Sequence, residues 1–277
     1  MVVTGGSGYS GHVIAGELTK MGHDVLSIDR RPPEQRICNS MIVDIRDYGQ
    51  VVDALKNSER VVHFAGIPGT GAVPNCELYR INAAGTFNVL DACATLGVEQ
   101  VIFASSIEIY AYSPATRDFE PFAYLPLDEK HPALPVNPYA AAKQGAELLC
   151  SAYSRMVNMS TVSLRLTKLM RHTDYHLIEG WGQDLQRGKE LVWSYVDVRD
   201  IARMCNLIFE HPELKGTVLN AGAADTIVSE DTQQIAQRVY PDTAINKRLS
   251  GRDTLFSIDR ARELLGFEPQ YSWTQYV

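Results

Sequence analysis

Short runs of β-branched and aromatic residues alternate with longer stretches in which apolar residues recur every three to four positions. The runs Val2–Thr4, Asp24–Asp29, Met41–Val43, Arg60–Phe64, Gln100–Ser105, Thr161–Leu166 and Thr217–Asn220 read as strands. Between them, residues 11–22, 48–57, 75–97, 137–157 and 199–211 read as helices. In the last of these, Ile201, Met204, Cys205 and Ile208 fall at i, i+3, i+4 and i+7, one face of a helix, with Asp197 or Asp200 placed to cap it. Strand segments such as Val61-Val62 and Val101-Ile102-Phe103 are apolar on both faces, as in a parallel sheet covered by helices on each side. The alternation predicts an α/β fold, a doubly wound parallel sheet of right-handed βαβ units.

Two interruptions break the rhythm. The proline-bearing segment 112–138 reads as a long loop, and loops of that length inside compact folds are often functional. After residue 166 the pattern weakens, returns at 193–220, and ends in a tail. The expected organisation is therefore a core of residues 1–166 and 193–220, with a small, discontinuous C-terminal lobe of residues 167–192 and 221–277 that holds the substrate.

Composition narrows the classes of function. The chain has 277 residues, 45% hydrophobic and 21% charged, enough apolar material for a core. With 26 basic against 33 acidic residues the net charge is −7, which argues against general nucleic-acid binding. No apolar stretch approaches the roughly 18 residues of a membrane span, and Met1-Val2-Val3-Thr4-Gly5-Gly6 lacks the basic start of a signal peptide. The five cysteines are dispersed, without disulfide-framework or zinc spacing. His172 and His176 stand at i, i+4 with no third ligand pattern nearby. These features predict a cytoplasmic protein with reduced thiols and no metal, membrane or nucleic-acid partner.

Gly6-Ser7-Gly8-Tyr9-Ser10-Gly11 matches G-x-G-x-x-G between a strand and a helix, where glycines let the backbone approach a pyrophosphate resting on the helix N-terminus. Asp29 follows Gly11 at the end of the second strand, where a carboxylate accepts hydrogen bonds from ribose hydroxyls. The pairing predicts a Rossmann-type dinucleotide site. Asp29 favours NAD; Arg30 and Arg31 beside it either accommodate the extra phosphate of NADP or form a solvated surface pair.

Tyr139 and Lys143 lie at i, i+4 on one helix face, where an ammonium favours phenolate and makes the tyrosine an acid or base near neutral pH. The pair alone carries little weight in a chain with 13 tyrosines. Its position adds more, because Ser105-Ser106 ends the fifth strand at the edge where such sheets bind ligands. A serine hydroxyl there can hold a substrate oxygen while Tyr139 exchanges its proton and hydride moves to or from nicotinamide.

Taken in order along nearly its whole length, the chain resembles the extended short-chain dehydrogenase/reductase superfamily, and within it the NAD-dependent epimerase/dehydratase family that acts on sugars. The residues from Thr4 to Gly11 are similar to that family's T-G-x-x-G-x-x-G, and Asp44-Ile45 to its adenine-contacting pair. His63-Phe64-Ala65-Gly66 is similar to the cofactor turn H-x-A-[AG], and Asn82 through Asn88 to the N-x-x-G-T-x-N helix. Ser105 through Tyr110 resembles S-S-x-x-V-Y, Asn137 through Lys143 resembles [SN]-P-Y-x-x-S-K, and Tyr195 through Ala202 and Asp259 through Pro269 resemble the later motifs. The resemblance implies catalytic roles for Ser106, Tyr139 and Lys143. It also implies cofactor contacts from Gly5, Gly8, Tyr9, Ser10, Gly11, Asp29, Arg30, Asp44, Ile45, Phe64, Ala65, Gly66, Asn82, Tyr139 and Lys143. The same resemblance implies a homodimer through residues 75–97 and 137–157, whose apolar residues allow it, although a buried intrachain face carries the same pattern.

The chain departs from the family after the sixth strand, where R-x-x-N-x-Y-G-P gives way to Arg165-Leu166-Thr167-Lys168-Leu169-Met170-Arg171-His172. That segment and the small lobe put a nucleotide sugar in question, although Arg165, Lys168, Arg171, Arg248 and Arg252 offer charges for an anion. Glu108 stands where some sugar dehydratases carry an acid/base glutamate, or is a polar residue at a strand end. Trp181 and Trp193 line a substrate pocket or pack in the core. The expected function is oxidation of a carbohydrate hydroxyl by NAD(P), with epimerase, dehydratase and uronate-type dehydrogenase outcomes open. A non-catalytic dinucleotide sensor is the alternative from another class.

Overall fold

The computed structural model describes residues 1–110, 121–178 and 184–276. Its first half runs β1 (Val2–Thr4), α1 (Tyr9–Lys20), β2 (Leu26–Asp29), β3 (Asn39–Ile42), α2 (Tyr48–Leu55), β4 (Arg60–His63), α3 (Asn75–Tyr79), α4 (Gly85–Leu96) and β5 (Gln100–Ser106). Then come β6 (Tyr124–Leu125), α5 (Pro138–Val157), β7 (Ser160–Leu166), β8 (Lys168–Met170), β9 (Tyr195–Asp197), α6 (Val198–Phe209) and β10 (Thr217–Ala221). The chain closes with α7 (Thr232–Val239), β11 (Ala244–Ile245) and α8 (Asp259–Leu265).

Seven strands form one parallel sheet in the order β3-β2-β1-β4-β5-β7-β10. Alternate residues of each strand serve opposite layers. Val2, Val61 and Val101 pack with Val51, Leu55, Val89 and Cys150 from α2, α4 and α5, while Val3, Val62 and Ile102 pack with Ile14, Leu18, Ile201 and Ile208 from α1 and α6. The doubly wound α/β fold is therefore as the hydrophobic pattern predicts, with strand ends shifted by a residue or two. Strand order reverses beside β1, which opens a crevice at the carboxyl ends of β1 and β4.

Helix ends follow their capping residues. Asn137 accepts a hydrogen bond from Ala140 N–H at 2.8 Å with Pro138 opening α5, and Asp197 accepts from Arg199 N–H at 2.8 Å to start α6. Asp200, the other candidate cap, instead receives the Gln270 and Tyr271 N–H groups and Arg203. The single helix expected over 75–97 is interrupted: a π-helical turn, Arg80–Ala84, separates α3 from α4. Gly85 opens α4 at a close approach, since a Cβ there would sit 2.6 Å from Ile45 Cδ1.

A further hydrophobic cluster gathers Trp193, Tyr195, Met170, Ile227, Val228 and Phe256 with Ile107, Ile109, Tyr110, Phe122 and Leu127. The strand pairs β8-β9 and β6-β11 belong to this side. Part of the long loop after β5 thus joins this cluster, whereas Ile258, Ala261, Leu265 and Phe267 pack against the α1–α6 layer. Trp193 is fully buried; Trp181 lies outside the described residues.

Candidate active site

A cavity of about 1560 Å³ runs along the carboxyl edge of the sheet from Asp29 past the glycine loop to Ser106 and Tyr139. Sites for one small ligand span roughly 300–1,000 Å³, so this one has room for a dinucleotide and a second molecule. Its middle is the turn after β1. Gly5 has φ +72°, and a Cβ on it would lie 2.7 Å from Ala65 N; a Cβ on Gly11 would lie 2.2 Å from Gly5 O. The glycines are what the packing of this turn demands. No side chain caps α1 at Gly8, and its first turn carries no acidic residue, so its N–H groups suit a pyrophosphate.

At one end, Asp29 accepts hydrogen bonds from Ser7 N–H at 3.1 Å and Arg31 N–H at 3.2 Å, which hold its carboxylate at the cavity wall beside Arg30 and Arg31. Asp44 and Ile45 form the neighbouring wall. The Asp44 carboxylate is paired with Arg46, whose hydrogen bonds pull it below its ordinary range. Phe64, Ala65 and Gly66 line the cavity as expected. Asn82 stands behind that lining: it accepts from Ile67 N–H at 2.8 Å and donates to Ile67 O at 2.9 Å, shaping the loop. His63 is buried between Thr4 and Thr86 and is pushed down to about 3 by burial and the Lys143 charge, hence neutral.

At the other end, Ser106, Glu108, Tyr139 and Lys143 share one stretch of wall. Lys143 Nζ donates to Ala104 O at 2.6 Å and lies 5.6 Å from the centre of the Tyr139 ring. Burial lowers Lys143 to about 8, with the Glu108 charge acting to raise it. Tyr139 departs from the sequence-based expectation of a lowered phenol. Burial raises it, the Glu108 charge adds to this, and contact with the Ser106 hydroxyl pulls it down. Ser106 Oγ accepts from Glu108 N–H at 3.2 Å, which fixes the hydroxyl beside the phenol.

Glu108, one of two readings in the sequence, is a cavity residue. Burial raises it to about 7 against a hydrogen bond from Asn137 Nδ2 at 3.2 Å and the Lys143 charge. That value suits acid/base work near neutrality. Of the candidate anion ligands, Lys168 and Arg171 line the cavity, while Arg165 is buried in an ion pair with Glu147. Among the described residues no group of His, Cys, Asp and Glu side chains suits a metal.

The sequence reading missed a strap over the glycine loop. The Tyr9 hydroxyl donates to Asp174, lies 3.4 Å from Leu169 O and accepts from Arg171 N–H at 3.2 Å, while the Arg171 guanidinium lies 4.2 Å from the centre of the Tyr9 ring. Arg171 Nε donates to Asp174 at 3.1 Å, completing the triangle. An Arg and an Asp three residues apart are too common for this to be visible in the sequence alone. Arg187 and Lys189 likewise line the cavity.

Comparison with known proteins bears on the family and the fold. The profile of the NAD dependent epimerase/dehydratase family matches residues 1–222. A UDP-glucose 4-epimerase of Corynebacterium glutamicum is 26% identical, covering 98% of this chain and 91% of that protein. An NAD-dependent glucose-6-phosphate dehydrogenase of Haloferax volcanii is 27% identical, covering 100% of this chain and 95% of that protein. A short-chain dehydrogenase/reductase superfamily protein from Agrobacterium tumefaciens, solved with bound NAD, superimposes with a TM-score of 0.74 at 23% identity, over 99% of this chain and 93% of that one.

Proposed function

Because the chain belongs to the NAD-dependent epimerase/dehydratase family, we propose that it oxidises a carbohydrate hydroxyl with NAD and that Tyr139 moves the proton. The observation that carries this reading is the convergence of Ser106, Glu108, Tyr139 and Lys143 at one end of a cavity whose middle is the glycine loop. The glycine cradle and the Asp29 carboxylate fit the dinucleotide. When bound, NAD supplies a hydride acceptor and a positive ring. Ser106 holds the substrate oxygen. Tyr139, as phenolate, takes the hydroxyl proton while the carbinol carbon gives up hydride and the C–O bond becomes a carbonyl. The positive charges in the cleft favour that phenolate against the burial that opposes it. Protonation of Glu108 near neutral pH removes a further charge that disfavours it.

The products of an epimerase or a dehydratase follow if the hydride returns, and Glu108 is the residue placed to assist water loss. A second reading, a compact dehydrogenase that releases NADH, draws support from Lys168, Arg171, Arg187 and Lys189 in the cavity wall, which suit a small anionic sugar. The protein works as a homodimer. In support, α5 carries exposed Ala141, Leu148 and Met156 on one helical row, with Gly145 and Ala152 half-buried between them, and Phe87 of α4 is exposed nearby. A reducing, cytoplasmic setting agrees with five free cysteines, and among the described residues no helix is long and apolar enough to cross a membrane.

The test is a panel of UDP-sugars, sugar phosphates and uronates incubated with protein and NAD, read for NADH absorbance and for new sugar products. Tyr139→Phe is expected to abolish turnover with NAD affinity retained. Full turnover in that variant would overturn the mechanism, and a wild-type protein inert on the whole panel would favour the sensor.

A further inference from the structure

We propose that Glu147 and Arg165 are a positioning pair that holds Ser106, Glu108, Tyr139 and Lys143 in a common frame, acting on the reaction only through them. The inference rests on the reading of those four as the reacting groups. Tyr139, Lys143 and Glu147 recur at i, i+4 and i+8 on the buried face of α5, so Glu147 is one turn beyond the catalytic lysine. Its carboxylate accepts three hydrogen bonds from two residues. Oε1 accepts from Ser105 Oγ at 2.6 Å and from Arg165 Nε at 3.0 Å, and Oε2 accepts from Arg165 Nη2 at 2.8 Å. Arg165 in turn donates from Nη1 to the Tyr110 hydroxyl at 2.6 Å and lies 4.8 Å over that ring. The Tyr110 hydroxyl also meets Asn220 Oδ1 and Asp128 O, both at 3.0 Å, which anchors it to β10 and the lobe.

Ser105 and Tyr110 bracket the turn that carries Ser106 and Glu108. One ion pair therefore clamps both flanks of that turn to the helix that carries Tyr139 and Lys143. Fold stability does not explain why charges are used here. Both side chains are almost fully buried, and a buried ion pair replaced by well-packed apolar residues usually costs little or nothing. What an apolar pair lacks is direction: it does not hold Ser105 Oγ and Tyr110 OH at hydrogen-bond distance.

The experiment separates position from stability. Glu147→Leu with Arg165→Met replaces the pair, and Ser105→Ala with Tyr110→Phe cuts its two tethers while leaving the pair in place. Each protein is measured for melting temperature, NAD Kd, KM and kcat, and for the change in unfolding stability with pH on adding Glu108→Gln. Both doubles are expected to keep NAD Kd and KM within about twofold of wild type while kcat falls on the order of ten- to a hundredfold. The titration of Glu108 is expected to relax toward the ordinary carboxylate range, since a loosened turn admits water. A folded tether variant whose kcat and Glu108 titration both match wild type would overturn the proposal, whether or not the pair replacement folds. If wild type turns over nothing, the functional reading has failed by itself, and the Glu108 titration, which needs no turnover, still decides the positioning role.

Discussion

Replacing Glu108 with glutamine removes a proton-binding site that burial has shifted, and the shift has a calculable effect on stability. The carboxyl is raised from 4.5 to about 7, first by burial, against the Asn137 hydrogen bond and the Lys143 charge. Between those two values the folded protein binds more protons at this site than the unfolded chain does. Stability must then fall as pH rises through the window, and the contribution is whole only below the unfolded value. The full difference amounts to about 3 kcal/mol at about 1.4 kcal/mol per unit, of which about 2 kcal/mol accrues between about pH 5 and about pH 7.5. Stopping there stays below the value near 8 to which burial brings Lys143. Urea unfolding of wild type and Glu108→Gln across that range is expected to show the variant gaining on wild type by about 2 kcal/mol. A gap that stays constant with pH would refute the reasoning, because it would mean that Glu108 is solvated and ordinary.

Three further substitutions address other parts of the site. Tyr9→Phe removes the hydroxyl that joins the glycine loop to Asp174 and is expected to speed NAD dissociation by about tenfold in stopped-flow displacement, with unchanged rates arguing that the strap does not hinder the dinucleotide. Asp29→Asn deletes the charge at the ribose end; NAD affinity is expected to fall by about tenfold and NADP affinity to hold or rise, by calorimetry, and parallel losses for both would remove Asp29 from that role. Leu148→Glu puts a charge in the middle of the exposed α5 row and is expected to convert a dimer to monomer in light scattering, while a wild-type protein that is already monomeric would end the dimer proposal.

The core of the fold was legible because its signals are local and repeated. Ile201, Met204, Cys205 and Ile208 repeat at helical spacing and are all fully buried, and Val61-Val62 is divided between the two helical layers as an apolar strand with both faces covered must be. The interruption of 75–97 was hidden because a π turn keeps the apolar content of a helix and changes only its hydrogen-bond ladder. At the site, the motifs name Ser106, Glu108, Tyr139 and Lys143, which the structure brings to one stretch of cavity wall. The state of Tyr139 was not legible, since i, i+4 spacing reports the nearness of Lys143 but not the burial that outweighs it. In the sequence Arg165 stands as a candidate anion ligand, because its partner Glu147 lies 18 positions earlier, on another element.

The strap formed by Leu169, Arg171 and Asp174 crosses the turn after β1, and the sheet order places β2, with Asp29, on one side of that turn and β5, with Ser106, on the other. If the proposed site is right, a dinucleotide that spans from Asp29 to Tyr139 threads beneath the crossing, whereas a monosaccharide confined to the Ser106 end does not. On the proposed reading the two occupants would keep different clocks, sugars exchanging at the mouth while one nucleotide stays through many visits, as a catalyst that takes hydride from a substrate and hands it back would need.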